Sequence, residues 1–74
     1  MSEQILDVRG LKCPLPILRA KKTLAQMNEG EVLVVLATDA GAPDDFAAFC
    51  RHTGHELLAS EAADGEFKLT VRHK

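Results

Sequence analysis

Apolar residues recur with two different periods along this chain, and the change of period predicts where strands and helices lie. Residues 4–8 form a short apolar-rich run that stops before the turn-forming Gly10. Residues 31–37 are apolar on both faces, which is typical of a strand at the centre of a sheet. Residues 65–72 alternate strictly between apolar and polar side chains. The inward-facing side chains of this last strand are predicted to be Phe67, Leu69 and Val71.

Two other segments have the 3.6-residue period of amphipathic helices. The first spans residues 14–27, and the second runs from Pro43 to about Thr53. Pro43, followed by two aspartates, favours a helix start, and Gly54 favours a helix end. The inner face of the first helix is predicted to hold Ile17, Ala20, Leu24 and Met27. The inner face of the second is predicted to hold Phe46, Phe49, Cys50 and Thr53.

The order of these elements is βαβαββ, because residues 55–62 and 65–72 read as a hairpin joined at Asp64-Gly65. Crossovers between parallel strands are almost always right-handed, so both helices should lie on the same side of the sheet. The sequence therefore predicts an α/β (α+β) two-layer sandwich, with a mixed four-stranded sheet and two helices on one face. The uncovered face of the apolar second strand suggests shielding by a partner protein.

Length and charge narrow the range of functions. A chain of 74 residues with 46% hydrophobic content makes one domain, 1–74, with one core and no deep cavity, so a functional site should lie on the surface. The net charge of −2 offers no general attraction to nucleic acid or to anionic lipid. No apolar run approaches the length of a membrane span, and no signal segment is evident. We expect a cytoplasmic monomer without direct nucleic-acid binding.

The chemically distinctive segment is the junction between the first strand and the first helix, where Cys13 precedes Pro14. Proline disfavours the helical conformation in the residue before it, so Cys13 is predicted to be the N-cap and Pro14 the first helical residue. Pro14 and Pro16 lack amide hydrogens, which leaves the amides of Leu15 and Ile17 to stabilise an anion there. The thiol should be held at the start of the helix.

Nearby charge strengthens this expectation. Arg9 and Lys12 are both close in sequence and should favour the thiolate, so the pKa of Cys13 is predicted to fall below that of a free cysteine. The alternative is that Cys13 is a small packing residue. Cys50 lies on the apolar face of the second helix and is interpreted as an inert core thiol. A disulfide between the two is disfavoured in a reducing compartment.

Asp7, Gly10 and Cys13-Pro14-Leu15-Pro16 together resemble the TusA/SirA-like sulfur carriers, whose CPxP motif opens the first helix. The resemblance continues through Asn28-Glu29-Gly30-Glu31, the apolar strand, the Asp39 loop and the second helix, and so covers essentially the whole chain. It implies that Cys13 carries sulfur as a persulfide and that Gly10, Pro14 and Pro16 shape the site. It also implies a protein donor, either a cysteine desulfurase or a rhodanese-like protein, and an acceptor protein in a sulfur relay, with no cofactor.

One position departs from part of that family. The residue between the two prolines is often acidic in members that serve tRNA thiolation, whereas here it is Leu15. Helical periodicity places Leu15 on the outer face with Arg19, where it is either a docking contact for a partner or folds back on the first strand. Arg19, Lys21 and Lys22 are either a solvated face or an attraction for an acidic partner surface.

Other candidate groups are weaker. His52, His55 and His73 are scattered in sequence, so no metal site is expected. Asp44 and Asp45 are interpreted as helix-start residues rather than catalytic carboxylates.

Two hypotheses remain from different functional classes. The first is a sulfurtransferase-type carrier, rather than a stand-alone turnover enzyme, in tRNA thiolation, sulfur oxidation or cofactor sulfuration. In this hypothesis, the Cys13 thiolate attacks a donor persulfide and becomes a persulfide itself. Because no second cysteine lies nearby in the sequence, this persulfide does not release its sulfur by forming an internal disulfide. The second is a non-catalytic regulatory or protein-interaction domain, in which Cys13 is structural or redox-sensing.

Overall fold

The computed structural model describes residues 3–74 and contains four strands and two helices in the predicted order. Their bounds differ from the predicted ones by one residue at most places, as is usual at element ends. The elements are β1 (Glu3–Val8), α1 (Leu15–Leu24), β2 (Val32–Ala37), α2 (Ala42–Thr53), β3 (Glu56–Ala63) and β4 (Glu66–Arg72).

The strands form one mixed sheet in the order β1-β2-β4-β3. β1 pairs with β2 in parallel, while β4 is antiparallel to both β2 and β3. The apolar strand β2 is therefore internal, as its two apolar faces predicted. Val8 pairs with Ala37, so β1 and β2 end at the same edge of the sheet. Arg72 pairs with Val32, so β4 ends at the opposite edge.

The core fills the space between the sheet and the two helices, which pack on one face as predicted. Phe46 of α2 is completely buried and is the largest of the fully buried side chains. Burying an aromatic side chain of this size makes a large hydrophobic contribution to a chain this short. The rest of the core is supplied by every element except β3. Its members are Val8, Ala20, Leu24, Met27, Leu33, Val35, Ala37, Ala42, Cys50, Leu69 and Val71.

The opposite face of the sheet has no helix on it. Val34 of β2 lies there and is only 6% exposed, because strands flank it on both sides. Its pairing partner on the edge strand β1 is Ile5, which is 68% exposed. The second apolar face of β2 is thus covered within the sheet, and the exposure falls on the edge strand. Shielding by a partner stays a prediction.

Helix α1 is shorter than its hydrophobic period predicted, since it ends at Leu24 rather than Met27. The chain continues in tighter turns, in which the amides of Gln26 and Met27 donate to the carbonyls of Thr23 and Leu24, both at 3.0 Å. These i to i+3 bonds keep Met27 in the core after the α-helical bonding has stopped. The apolar period alone could not distinguish the two geometries.

The turn chemistry matches the sequence at two other places. Gly54 ends α2 in the left-handed conformation with a φ of 89°, and its amide donates to the Cys50 carbonyl at 2.9 Å. The hairpin between β3 and β4 turns at Asp64 and Gly65, whose φ angles of 52° and 78° are both positive. Two consecutive positive φ angles are the requirement of a type I′ hairpin turn.

Replacing Cys50 with Ala should lower the free energy of unfolding by about 1 kcal/mol, because it removes a buried sulfur from the core. Urea denaturation followed by circular dichroism measures this change. The exposed Cys13 supplies the control, since Cys13→Ser should change stability by less than about 0.5 kcal/mol. Equal unfolding midpoints for the wild-type and Cys50→Ala proteins would contradict the assignment of Cys50 to the core.

Candidate functional site

Cys13 lies in the segment between β1 and α1, and its side chain is exposed, in keeping with the expectation that a functional site lies on the surface. Its position relative to the helix was predicted wrongly. The N-cap is Pro14, with a φ of −97° and a ψ of 14°, and the first helical residue is Leu15. Cys13 therefore precedes the cap and lies in the turn that leads into the helix. The peptide bond between Cys13 and Pro14 is cis.

A tight turn closes around the cysteine. The amide of Leu15 donates to the carbonyl of Lys12 at 2.9 Å, so it is not free to stabilise a thiolate, contrary to the prediction. The amide of Leu18 donates to the Pro14 carbonyl at 3.1 Å and begins the helical bonding pattern. Pro16 occupies the first turn of the helix and is buried. The two prolines thus flank the turn, one as the cap and one as an apolar anchor.

Gly10 directs the chain from the end of β1 toward this turn. Its φ of 84° lies in the left-handed region, which glycine adopts at little cost. Its amide donates to the Thr38 hydroxyl at 2.8 Å. Thr38 follows β2, so this bond joins the segment that carries Cys13 to the loop that enters α2. The two connections are held side by side at one edge of the sheet.

This juxtaposition brings two carboxylates, those of Asp39 and Asp45, to the thiol. Cys13 has its pKa raised, first by a hydrogen bond to the Asp45 side chain, then by partial desolvation and by the negative charges of Asp45 and Asp39. Both carboxylates also border Gly41, where an added Cβ would lie 3.3 Å from Asp39 Oδ2 and 3.5 Å from Asp45 Oδ2. The prediction of a lowered thiol pKa was therefore wrong, because acidic groups, not basic ones, surround the sulfur.

Arg9 is directed to other partners. Its guanidinium donates to both carboxylate oxygens of Asp7, at 2.9 and 2.8 Å, and lies 3.6 Å from Glu66 Oε1. The bonds from Arg9 lower the pKa of Asp7 to about 2, and Asp7 and Glu66 in turn raise the pKa of Arg9. The interactions that shift the pKa of Cys13 include neither Arg9 nor Lys12, which is exposed. The expectation that these two residues stabilise the thiolate is not supported by the geometry.

Apolar surface lies on the helix that begins beside the thiol. Leu15 is 45% exposed and Leu18 is 51% exposed, and Arg19 next to them is exposed as well. Leu15 therefore does not fold back onto the first strand as a buried residue. Cys50, the other cysteine, is in the core, as its helical position predicted.

The three histidines, which are scattered in sequence, come together in the fold. The ring centroid of His55 lies 4.8 Å from that of His73 and 5.8 Å from that of Phe49. His52 borders the same surface pocket. Among residues 3–74, no group of three His, Cys, Asp or Glu side chains has the arrangement of a metal site. No helix in that part of the chain has the length and hydropathy to cross a membrane.

Sequence reasoning missed Asp39 and Asp45 as neighbours of the thiol. Asp45 was interpreted as a helix-start residue, which it also is. A signal for its second role was available, because loops that follow two parallel neighbouring strands meet at the same edge of the sheet.

Comparison with known proteins identifies the family of this chain. The sequence model of the family described as Sulfurtransferase TusA matches residues 4–73. A Neisseria meningitidis serogroup A protein, provisionally named a sulfur carrier, is 68% identical over the full length of both chains. The sulfur carrier protein TusA of Allochromatium vinosum is 53% identical, over 95% of this chain and 92% of that protein.

A solved structure shows the same fold. The SirA-like protein of Desulfitobacterium hafniense superimposes with a TM-score of 0.82, at 28% identity, over 93% of this chain and 95% of that chain. The family match spans nearly the whole sequence, and the relatives align over nearly all of their own length. This chain belongs to the TusA sulfurtransferase family.

Proposed function

We propose that this protein is a sulfur carrier, which accepts sulfane sulfur as a persulfide on Cys13 and passes it to an acceptor protein. The observation that carries the proposal is the contrast between the two cysteines, since Cys13 is exposed in a turn while Cys50 is buried in the core. A persulfide on Cys13 has no second thiol within reach to release its sulfur by forming a disulfide. The names of the relatives support a sulfur carrier role.

The loading step is a thiol–disulfide type of exchange. The Cys13 thiolate attacks the terminal sulfur of a donor persulfide and forms a new S–S bond. The donor's own S–S bond breaks, and its electron pair leaves with the donor cysteine, which becomes a thiolate. Cys13 then carries the terminal sulfur and its proton as a persulfide. Unloading repeats the exchange with an acceptor thiolate as the nucleophile, so no external oxidant or reductant is required.

The carboxylates beside the thiol give the free carrier a low intrinsic reactivity. Because Asp45 accepts a hydrogen bond from the thiol and Asp39 adds a second negative charge, the thiolate is disfavoured until those charges are compensated. A donor or acceptor that brings a Lys or Arg side chain to this edge would neutralise the carboxylates and lower the thiol pKa. The two carboxylates thus keep the Cys13 thiol weakly reactive until a partner has docked.

Docking is assigned to the exposed apolar side chains of Leu15 and Leu18, with Arg19 beside them. Two large apolar residues that are each about half exposed, next to the reacting atom, offer a partner area to bury without displacing the core. The donor is proposed to be a cysteine desulfurase or a rhodanese-like protein, since both present a persulfide. The reducing cytoplasm, where thiols stay free, suits this chemistry.

Replacing Cys13 with Ser should abolish sulfur loading and leave the fold intact, because the residue is exposed and makes no core contact. The protein is incubated with a persulfide donor, and intact-protein mass spectrometry counts added sulfur atoms that a reducing agent removes. Cys50→Ala protein should still gain one sulfur atom. A reducible sulfur adduct on Cys13→Ser protein would show that the carrier residue lies elsewhere.

Replacing Asp45 with Asn should lower the pKa of Cys13, since the substitution removes the adjacent negative charge that disfavours the thiolate. The rate of Cys13 alkylation by iodoacetamide is measured across a pH series, with the modified residue identified by mass spectrometry. The inflection should move to lower pH, and alkylation near neutral pH should be faster than in the wild type.

The matched control is Asp44→Asn, because Asp44 lies in the same first turn of α2 yet is not among the groups that shift the Cys13 pKa. Its alkylation profile should coincide with that of the wild type. If the Asp45→Asn and wild-type profiles coincide, Asp45 does not raise the pKa of the Cys13 thiol.

Replacing Leu15 with Glu should slow sulfur transfer from a protein donor, because it removes apolar docking area and adds a negative charge beside the carboxylates. Loading by a small-molecule persulfide should be affected much less. Leu58→Glu is the control, since Leu58 is equally exposed at 47% but lies on β3. Transfer rates from the protein donor are compared by mass spectrometry. Equal slowing by both substitutions would argue against a docking contact at Leu15.

A further inference from the structure

An open pocket of about 390 Å³ lies at the opposite end of the helices from Cys13. It is formed where the last turns of α1 and α2 meet the start of β3 and the residues that follow β4. A helix of ten residues, such as α1, is about 15 Å long, so this pocket is separate from the thiol site. All three histidines of the chain border it. Its lining residues are Lys21, Leu24, Ala25, Phe49, His52, Thr53, His55, His73 and Lys74.

The polar lining of the pocket is basic. Lys21 comes from α1, His52 from α2, and His55, His73 and Lys74 from the strand ends. No Asp or Glu is among the side chains that line it within residues 3–74. Glu31 belongs to the turn that packs beside His73, and its carboxylate accepts a hydrogen bond from the Asn28 amide. The pocket therefore gathers five nitrogen-bearing side chains, and none of its described lining side chains is a carboxylate, although Lys74 also brings a main-chain oxygen to within 2.7 Å of His73 Nδ1.

The histidine rings are held in a defined arrangement. The Lys74 amide donates to His55 Nδ1 at 3.2 Å, so the neutral His55 carries its hydrogen on Nε2. His73 Nδ1 lies 2.7 Å from the main-chain oxygen of Lys74, which fixes it as a donor. Lys74 Nζ donates to the Thr53 carbonyl at 2.6 Å, at the end of α2. The side chains are thus placed by bonds to the main chain and do not depend on a ligand.

The remaining lining is apolar, with Leu24, Ala25 and Phe49 contributing to the wall. The Phe49 ring packs edge-to-face with Phe46 at 6.4 Å and also contacts His55, so it joins the core to the imidazole pair. The volume of the pocket lies within the range of small-molecule sites, and its open shape would leave part of a bound ligand exposed to solvent. The combination of basic side chains with an apolar wall favours a ligand that has both an anionic group and an apolar body.

We propose that this pocket binds a small organic anion, such as a carboxylate with an apolar or aromatic body. The anionic group would interact with Lys21, Lys74 and the imidazoles of His55 and His73, while the body would pack on Phe49, Leu24 and Ala25. Lys21, which follows the buried Ala20 on α1, is one of the residues that line the pocket. Binding of such an anion does not depend on sulfur chemistry at Cys13.

Binding should be linked to proton uptake. Burial and the nearby His73 and Lys74 lower the pKa of His55, so in the free protein its imidazole is neutral near pH 7. An anion in the pocket favours the charged form of His55 and raises that pKa; charging places a hydrogen on Nδ1, so His55 then gives up the hydrogen bond from the Lys74 amide. His73 and Lys74 act on His55 directly, and His52 of α2 and Lys21 of α1 line the same pocket. Affinity for the anion should therefore increase as the pH falls.

The experiment titrates the full chain with benzoate and follows the imidazole and Phe49 signals by NMR. Benzoate should shift these signals saturably, and more tightly at about pH 5.5 than at about pH 8. Benzamide has the same shape without the charge and should bind much more weakly. Inorganic phosphate has the charge without the apolar body and should also bind more weakly than benzoate.

Matched variants test the location. Lys21→Gln should weaken benzoate binding by about threefold, the size of a partly exposed charge interaction, whereas Lys22→Gln should not, because Lys22 is the next residue and does not line the pocket. Cys13→Ser should bind benzoate like the wild type, which separates this inference from the carrier function. Equal binding of benzamide and benzoate, equal binding of phosphate and benzoate, or no saturable shift would each overturn the proposal.

Discussion

The parallel pairing of β1 with β2 is the constraint on which the candidate site depends. Because the two strands run in register and end together at Val8 and Ala37, the connections that leave them emerge at the same edge of the sheet. Each connection then enters a helix, so Cys13 meets the loop that carries Asp39 and the first turn of α2. The hydrogen bond from Gly10 to Thr38 holds the two connections together. A shift of this register would separate the thiol from its carboxylates.

The same topology places the acidic side chains near Cys13 at one edge of the sheet and a group of basic side chains at the opposite edge. The helix starts and the ends of β1 and β2 lie at one edge, where Asp39 and Asp45 disfavour the Cys13 thiolate. The helix ends, the start of β3 and the end of β4 lie at the other edge, where Lys21, His52, His55, His73 and Lys74 border one pocket. The net charge of −2 does not reveal that these acidic and basic side chains lie at opposite edges of the sheet. The acidic end suits a partner that supplies positive charge, and the basic end suits an anion.

The acidic surroundings of Cys13 also bear on the carrier role. A strongly activated thiolate would exchange with any disulfide or persulfide that it met, whereas the proposed carrier should be loaded only by its own donor. Under that proposal, the carboxylates beside the thiol restrain the unloaded carrier, and a cationic residue of the partner would remove the restraint by compensating their charge. Leu15 and Leu18 are exposed at the start of α1, and the proposed function assigns partner docking to them. In that proposal, restraint and docking depend on neighbouring residues at one edge of the sheet.

Several features could be predicted from the sequence, because each follows from local periodicity or turn chemistry: the order of elements, the internal position of β2, the burial of Cys50 and the exposure of Cys13. The sequence left two alternatives for Leu15, and the tertiary structure decided that it is exposed. The family resemblance likewise came from the sequence, beginning with the segment around Cys13-Pro14-Leu15-Pro16 and extending over essentially the whole chain. The environment of the thiol could not be predicted from neighbours in sequence. Arg9 is close to Cys13 in sequence but pairs with Asp7 and Glu66. Asp45 is distant from Cys13 in sequence but accepts a hydrogen bond from its thiol. The meeting of His52, His55 and His73 was likewise decided by the tertiary structure, since strand register and helix packing determine which side chains share a surface.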